Sequence, residues 1–401
     1  MAQGFAAMIY LFFNLAGVLL LIATLPLILE LLVVTPASLL PARRLSRSRK
    51  GQAERGDIAL TIVVPAHNEE LLVGRCVASL RASAGDGVRV LVIAHNCVDG
   101  TASSASAAGA EVLVYEDPGA VGKGFALRRG FEDALTSGAN AVMVVDADST
   151  VSLNAVHAVR SAFASGARVI QCRYEMFSTT DRANAQLAAL AFRGFNVIRP
   201  RGRDKLGLSA GILGNGFAID RVVLEAIPYD AFSVVEDLEY HLHLVMGGER
   251  VQYLDEALIS AEFPESRSGE AVQRSRWEGG RLHAARVWAL PLAGRVLSGR
   301  LRLLEPLCDL TGLPMAYGVF AVILAFCIPL GWLRWYAGVS MGIVLFHVLA
   351  AAWVGPDFWA SLRLLVVAPF YVLRKLRMIP GVVRGASANA AWVRTERNNT
   401  L

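Results

Sequence analysis

The sequence predicts an α/β protein with a mostly parallel sheet, joined to a membrane by apolar helices. Between residues 57 and 148, short β-branched runs alternate with Ala-rich stretches, which is the pattern of strands connected by crossover helices. The chain of 401 residues is 54% hydrophobic and 18% charged, whereas a typical soluble domain has about 25% charged residues. This composition argues against an ordinary soluble protein and excludes a disordered or collagen-like chain.

The strands and helices of this domain are expected in alternating order. Strands are predicted at residues 58–64, 88–93, 111–115 and 141–145, with helices near 69–81, 101–108 and 124–135. Further strands are expected at 168–173, 250–254 and 257–262, and a helix at 236–246. In an open parallel sheet, ligands bind outside the carboxyl ends of the strands. Polar residues follow three of the first four strands, so we expect the functional site there.

The N-terminus predicts a membrane anchor. Residues 1–29 carry no charged side chain, and the apolar run at 9–32 is long enough to cross a bilayer as a helix. A cleaved signal peptide is the alternative, but the segment lacks a basic start and exceeds the usual length. The basic segment 42–50 should be cytoplasmic, which leaves the N-terminus outside. We therefore divide this part into an anchor at 1–35, a basic linker at 36–56 and a cytoplasmic domain at 57–270.

The C-terminal third is membrane-like again. Residues 282–304 mix apolar side chains with arginines, as interfacial helices do. Two spans are predicted at 312–332 and 336–354, with a turn at 333–335. Residues 358–371 contain Arg363 and Pro369, which favours an interfacial or re-entrant helix over a full span. The corresponding segments are 271–310, 311–355 and 356–401, the last with a basic cytoplasmic tail.

Two carboxylates follow the predicted strand 141–145. Asp146 and Asp148 are spaced so that both can approach one divalent cation, and Mg²⁺ or Mn²⁺ prefers carboxylate and diphosphate oxygens. A solvated turn is the alternative for such a pair in isolation. Carboxylates gathered at one edge of a sheet repel each other unless a cation lies among them, so this position favours a metal site.

Three other motifs have both a functional and a structural interpretation. Lys123 lies between two glycines before a helix, either as a surface lysine or as a contact to phosphates. Glu236 and Asp237 begin a helix. Their acidic side chains can cap the helix, and Asp237 can also serve as a general base. Arg276 and Trp277 either anchor a helix at the membrane surface or bind a diphosphate and border the acceptor.

Several classes of site are disfavoured. Five dispersed cysteines show no metal-ligand spacing, and the histidines form no HExxH motif. Nucleic-acid binding is a poor fit, because the basic residues of the cytoplasmic part lack interleaved aromatics.

The order of these motifs resembles that of the membrane-integrated family 2 glycosyltransferases, which include cellulose, chitin and hyaluronan synthases and ceramide glucosyltransferases. The resemblance covers roughly residues 55–290. It implies a GT-A type nucleotide-sugar-binding domain with a Rossmann-like, mostly parallel sheet, plus transmembrane and interfacial helices. The chain departs from the family pattern at Val235, where threonine is usual, and at His67, where tyrosine is commoner.

The resemblance also implies a role for individual residues. Asp237 would be the catalytic base, and Asp148 would ligate the metal, Mg²⁺ or Mn²⁺. The residues implied in donor binding are Pro65, Ala66, His67, Glu69, Asp99, Lys123, Asp146, Asp148 and Arg276. The residues implied in acceptor binding are Gly214, Asn215, Gly216, Glu236, Gln273 and Trp277.

The implied activity is an inverting transfer of a sugar from a nucleotide-diphosphate donor, with a UDP-sugar favoured. The acceptor would be a lipid-linked or membrane-proximal hydroxyl in glycolipid or exopolysaccharide synthesis, at a bacterial inner membrane. About three spans are few for a polysaccharide channel, which favours single addition over processive synthesis of the chitin, hyaluronan or cellulose type. The sequence is also compatible with an inactive scaffold subunit of a polysaccharide export complex or with a membrane nucleotidyltransferase.

Overall fold

The computed structural model describes residues 2–41, 58–85, 87–178, 180, 182–263 and 267–386. The basic segment predicted at 42–50, most of the linker and the end of the basic tail lie outside the described residues.

Eight strands form one sheet: β1 Leu60–Ala66, β2 Arg89–His95, β3 Glu111–Tyr115, β4 Ala141–Val144, β5 Ser149–Val151, β6 Val169–Phe177, β7 Phe217–Asp220 and β8 Val251–Glu262. Their order is β3-β2-β1-β4-β7-β6-β8-β5. The half that contains β1 to β4 is parallel, as predicted. The other half is mixed, because β7 runs antiparallel to both β4 and β6. The two strands predicted at 250–254 and 257–262 are one strand, β8, whose pairing with β6 shifts register at Cys172 and Arg173.

Helices cover both faces of the sheet, and further helices precede and follow the sheet domain in the chain. They are α1 Ala2–Ser38, α2 Val73–Ala84, α3 Thr101–Ala107, α4 Lys123–Thr136, α5 Ala155–Ala164, α6 Ala183–Arg193, α7 Arg199–Lys205, α8 Arg221–Ala226, α9 Glu236–Met246, α10 Arg267–Leu297, α11 Leu304–Thr311, α12 Met315–Cys327, α13 Gly331–Val354, α14 Phe358–Leu364, α15 Ala368–Leu376 and α16 Ile379–Gly385.

Alternation along the central strands builds two cores. Ile62 and Val64 of β1 pack in one apolar cluster, and Val63 packs in the other. Helix α4 lies against the second face at Gly130, where an added Cβ would lie 3.2 Å from Ile93 Cγ1. This close approach fixes α4, and therefore Lys123 at its start, relative to the carboxyl ends of β1 and β2.

Among the described residues, two helices are long and apolar enough to cross a membrane, α1 and α13. At about 1.5 Å per residue, both exceed the roughly 30 Å of a hydrocarbon core. They pack together through a cluster that includes Leu31, Leu333 and Val344. The apolar run predicted at 9–32 is therefore part of a single helix, α1, that is long enough to cross a membrane.

The membrane segment predicted at 312–332 is not a straight span. Helix α12 has 13 residues, and it is bent by 80° from the helical segment Leu301–Thr311. The turn predicted at 333–335 is wrong, because α13 already begins at Gly331. The break falls at residues 328–330, after Cys327. The segment predicted at 358–371 is divided among α14, a 3₁₀ turn and α15, and each piece is shorter than a span requires.

Candidate functional site

A cavity of about 790 Å³ begins at the carboxyl ends of β1 and β4 and extends between the apolar helices α1, α12 and α13. Its wall brings together residues that are far apart in the chain. The predicted site residues that line it are Pro65, Ala66, His67, Glu69, Lys123, Asp146, Asp148, Gly214, Glu236, Asp237, Gln273, Arg276 and Trp277. Asp99, Asn215 and Gly216 are not part of this lining.

Lys123 connects three walls of the cavity. Its Nζ pairs with Asp146 Oδ1 and donates a hydrogen bond of 2.5 Å to the carbonyl oxygen of Gly214. Burial alone would lower the pKa of this ammonium group, but Asp146 and then Glu236 more than offset that effect, so the pKa is raised. Lys123 is therefore a fixed positive charge beside the carboxylates.

Asn215 lies behind the wall and supports the Asp146–Asp148 turn. Its Oδ1 accepts from the backbone N–H of Asp146 at 3.1 Å, and its Nδ2 donates to Ser149 Oγ at 2.8 Å. Ser149 Oγ in turn donates to Asp148 Oδ1 at 2.9 Å. Gly216 has a φ of +68°, and an added Cβ would lie 2.5 Å from Ile259 Cγ1. The structure thus places both residues beneath the site, rather than on the acceptor surface to which the resemblance assigned them.

Asp99 also has a supporting position at the rim. Its carboxylate accepts from the N–H of Thr101 at 3.0 Å and from the N–H of Glu70 at 3.3 Å. The backbone N–H of Glu69 donates to Thr101 Oγ1 at 2.7 Å. Asp99 therefore ties the loop after β2 to the loop after β1, whose His67 and Glu69 face the cavity.

Two adjacent carboxylates begin helix α9. Burial raises the pKa of Glu236 to about 7, and the like charge of Asp237 adds to this rise. Burial also raises the pKa of Asp237, although the N–H of Leu238 and the positive charges of Lys123 and Arg276 act in the opposite direction. A buried carboxylate with a raised pKa is a good proton acceptor near neutral pH.

The loop before β7 approaches Asp237 closely. Gly214 has a φ of +78°, which favours glycine, and an added Cβ would lie 2.9 Å from Asp237 Oδ2. The carboxylate therefore lies against bare backbone, and a side chain at position 214 would displace it.

Helix α10 supplies the opposite wall. Gln273 is buried, and Arg276 and Trp277 face the cavity. The Trp277 ring lies 6.4 Å from the ring of Phe192, and it packs against the apolar core of the sheet domain. Arg276 thus has a rigid support beside Asp237, in a position suited to an anionic group.

Residues 58–280 match the family described as Glycosyltransferase like family 2, and this match spans more than half of the chain. The chain belongs to this family. It is a glycosyltransferase with a GT-A fold, as the resemblance of its motifs implied.

One solved structure agrees with this fold over most of the chain, and a second matches a smaller part. The mannosyltransferase PcManGT from Pyrobaculum calidifontis, in complex with GDP-Man and Mn²⁺, is 16% identical, with a TM-score of 0.55 over 93% of this chain and 97% of its own. Glucosyl-3-phosphoglycerate synthase from Mycobacterium tuberculosis, in complex with Mn²⁺, UDP and phosphoglyceric acid, is 20% identical, with a TM-score of 0.37 over 60% of this chain and 82% of its own. No curated protein sequence matches the chain.

The carboxylates of this family 2 glycosyltransferase fit a divalent cation that is shared with a ligand. The described part of the chain contains no group of three or more His, Cys, Asp and Glu side chains arranged to hold a metal. Asp148 faces the cavity close to Asp146, which is paired with Lys123. Mg²⁺ and related ions often take one or two carboxylates and complete their shell with phosphate oxygens and water, so this donor set suits them.

The sequence did not reveal how far the site of this glycosyltransferase extends beyond the sheet edge. The cavity is also lined by apolar residues of α1, α12 and α13, including Leu31, Val319, Val344 and Val348. Charged residues line it there as well, among them Glu30, Arg199 and Arg281. Glu30 is noticeable in the sequence, since it is the first charged residue after an apolar run. Its partners could not be predicted, because Arg199 and Arg203 of α7 lie 169 and 173 positions away in the chain.

Helix α9 packs tightly on α10 at one point of the glycosyltransferase. An added Cβ on Gly280 would overlap Val235 Cγ1, and Val235 is the residue before α9. The two helices carry Asp237 and Arg276. Val235, at the position where the family usually has threonine, therefore sets the spacing between the proposed base and the arginine.

Gly280→Ala should lower kcat by about 10- to 100-fold, because displacements of the order of 1 Å in reacting groups have effects of this size. Nucleotide affinity, measured by titration calorimetry, should change little. The double variant Val235→Ala/Gly280→Ala removes the overlap, so it should recover most of the lost activity. Equal activity of the single Gly280→Ala variant and the double variant would contradict this role of Val235.

Proposed function

We propose that the protein transfers a sugar from a nucleotide-diphosphate donor to the hydroxyl of a lipid-linked acceptor, with inversion at the anomeric carbon. One observation supports the proposal: the cavity that contains Asp146, Asp148, Asp237 and Arg276 is also walled by the apolar helices α1, α12 and α13. A soluble donor can reach the carboxylates from the sheet edge, and an acceptor with a hydrocarbon chain can reach them from the bilayer side.

The donor lies at the carboxyl ends of the parallel strands. Pro65, Ala66, His67 and Glu69 border its nucleoside, and Asp99 supports that loop from behind. Lys123 and Arg276 supply positive charge for the diphosphate. A UDP-sugar is the first donor to test, and GDP-mannose is the second, because the similar mannosyltransferase was solved with GDP-Man.

The reaction needs one proton transfer and one displacement. Asp237 accepts the proton of the acceptor hydroxyl while its oxygen attacks the anomeric carbon from the face opposite the diphosphate. The new bond joins that oxygen to the anomeric carbon, and the bond from the anomeric carbon to the diphosphate oxygen breaks. Arg276 stabilises the charge on the departing diphosphate. A divalent cation held by Asp148 would neutralise part of the same charge.

The acceptor lies on the other side of Asp237. Gly214 leaves space beside the base, with Asn215 and Gly216 holding the loop that carries it. Glu236, Gln273 and Trp277 border the acceptor head. Trp277 is well placed for this, because an aromatic wall packs against the apolar face of a sugar or lipid head.

We place the protein in the bacterial inner membrane, with the catalytic domain in the cytoplasm and the N-terminus outside. We propose the same division of the chain as the sequence predicts: an anchor, a basic linker, a GT-A domain at 57–270, an interfacial segment at 271–310 and the two C-terminal segments 311–355 and 356–401. Exposed apolar residues on α10, such as Leu290 and Leu297, support contact of this helix with membrane lipids.

Single addition is favoured over processive synthesis. The described residues offer two spanning helices, or three if the bent pair counts as one span. These are few for a channel through which a polysaccharide would leave. The scaffold role is disfavoured, because the proposed metal and base residues and all the proposed donor residues except Asp99 line a single cavity.

The decisive assay uses the full-length protein in native membranes with a panel of radiolabelled nucleotide sugars and Mg²⁺ or Mn²⁺. We expect release of a nucleoside diphosphate and a labelled product that extracts into organic solvent with one added sugar. A ladder of long water-soluble chains would favour processive synthesis. Formation of a nucleotide sugar, instead of its consumption, would indicate a nucleotidyltransferase. No labelled product and no nucleotide release with any donor would contradict the proposed transfer and leave the scaffold role.

A further inference from the structure

The membrane end of the cavity contains buried charged side chains that the proposed transfer does not use. Glu30 of α1, Arg199 and Arg203 of α7, Arg281 of α10 and Asp309 of α11 line it together. The side chains of Glu30, Arg199 and Arg203 are 4 to 7% exposed. Burying ionised groups is costly, and ionisable residues in membrane helices usually mark a functional site.

In the cavity lining, the arginines of this cluster outnumber the carboxylates. Asp309 Oδ1 lies 2.5 Å from Arg199 Nη2 and 2.9 Å from Nη2 of both Arg203 and Arg281. Glu30 pairs with Arg199 and Arg203. Three guanidinium groups thus meet two carboxylates on the lining. A third carboxylate, Glu305, contacts Arg203 but does not line the cavity.

Arg281 has two nitrogen atoms with hydrogen-bonding capacity left. Its Nη2 donates to the carbonyl and carboxylate oxygens of Asp309, whereas within the described residues its Nε and Nη1 donate to no protein acceptor. Its guanidinium lies 5.7 Å from the centre of the Phe195 ring, which also contacts Arg199 at 4.6 Å. Phe195 belongs to a π-helical turn, Gly194–Ile198, and such turns are frequent at functional sites.

Arg281 lies on the same helix as Arg276 and lines the same cavity. It follows Arg276 on α10 by five residues, which corresponds to about 7.5 Å along the helix axis. The apolar wall formed by Leu31, Val319 and Val344 belongs to the same cavity. A guanidinium beside a hydrocarbon-lined wall suits an amphiphile with an anionic head, because planar N–H donors bind phosphate oxygens in pairs. A neutral lipid head would leave those donors without an acceptor, which is costly away from water.

We propose that the acceptor is an anionic lipid, whose phosphate binds at Arg281 beside Phe195 and Arg199, with its hydrocarbon chain between α1, α12 and α13. This inference rests on the proposed lipid acceptor and adds the chemical class of its head. It assigns Arg281 to acceptor binding and Arg276 to the donor diphosphate, so the two arginines on one helix hold two different phosphate groups.

The test measures binding, without donor and without turnover. The full chain, purified in a neutral detergent, is titrated with dodecyl phosphate, with dodecanol and with inorganic phosphate, and its thermal unfolding is followed. Dodecyl phosphate should raise Tm in the unmodified protein, and Arg281→Gln should weaken its apparent affinity by about 10- to 100-fold, as expected for a charge-assisted contact. Arg281→Lys should have an intermediate affinity.

Arg286→Gln is the matched control, because Arg286 is on the same helix and its Nη1 donates at 3.4 Å to the carbonyl oxygen of Ala386. It should leave the affinity for dodecyl phosphate unchanged. An equal effect of dodecanol, or an unchanged affinity in Arg281→Gln, would overturn the proposal. An equal effect of inorganic phosphate alone would identify a site for a free anion and would also overturn the lipid assignment. If Arg281→Gln does not fold, Arg281→Lys decides by the same criterion. Because this measurement needs no sugar transfer, a negative result would contradict the anionic-lipid site without contradicting the proposed glycosyl transfer.

Discussion

Asp237→Asn should reduce sugar transfer by about a thousandfold and leave nucleotide binding intact. The amide keeps the size of the side chain and can still accept a hydrogen bond from the N–H of Leu238, but it cannot remove a proton from the acceptor. General-base groups typically contribute 10²- to 10⁴-fold. The rate is measured as nucleoside diphosphate released with and without acceptor, and affinity by calorimetry with the free nucleotide. A fully active Asp237→Asn variant would exclude Asp237 as the base.

The same carboxylate pair predicts how the rate depends on pH. Burial raises the pKa of Glu236 to about 7 and also raises that of Asp237 above its usual value. A general base works in its deprotonated form, and the pKa of Asp237 is raised, so kcat should already fall at a pH above the range near 3.9 in which an exposed aspartate titrates. Glu236→Gln removes the neighbouring negative charge, which lets Asp237 ionise more easily. The fall in kcat on the acid side should therefore occur at lower pH in Glu236→Gln. An unchanged pH profile would contradict the proposed charge interaction between Glu236 and Asp237.

The sequence predicted the parallel half of the sheet because its signals are local. Runs such as Thr61–Ala66 pair in register with Arg89–Ala94, and each run is itself apolar and β-branched. Asp146 and Asp148 follow such a run, so their place at the sheet edge follows from the rule that ligands bind at the carboxyl ends of strands. The start of α9 at Glu236 was also predicted, from the spacing of its apolar residues.

The other features of the fold and the site depend on contacts between distant parts of the chain, and the periodicity of the sequence does not reveal such contacts. The fit of Val235 against Gly280 requires two helices to cross at one glycine, and nothing near either residue indicates it. Asn215 holds Asp146 across 69 positions, and Arg199 reaches Glu30 across 169. The bend between α11 and α12 was missed for a different reason: residues 312–332 are uniformly apolar, and hydropathy measures composition and length but not direction.

Asp148→Asn should abolish metal-dependent nucleotide binding and reduce transfer by about a thousandfold. Asp148 faces the cavity, and its Oδ1 is oriented by Ser149 at 2.9 Å. An amide offers a divalent cation no negative charge, and stabilisation of a departing diphosphate by a metal is worth several kcal/mol. Removal of the metal with a chelator should lower the rate of the unmodified protein to a similar level.

Binding of Mn²⁺ in the presence of the nucleoside diphosphate supplies a readout independent of turnover, because electron paramagnetic resonance counts the bound ion directly. Asp204→Asn is the control, since Asp204 pairs with Arg250 at 2.6 Å and lies outside the cavity. Asp146→Asn is the informative comparison. It breaks the pair with Lys123, so it should weaken nucleotide affinity while Mn²⁺ still binds through Asp148. If Asp148→Asn binds Mn²⁺ and nucleotide like the unmodified protein, the cation is not held at this position, and Lys123 and Arg276 must carry the diphosphate charge alone.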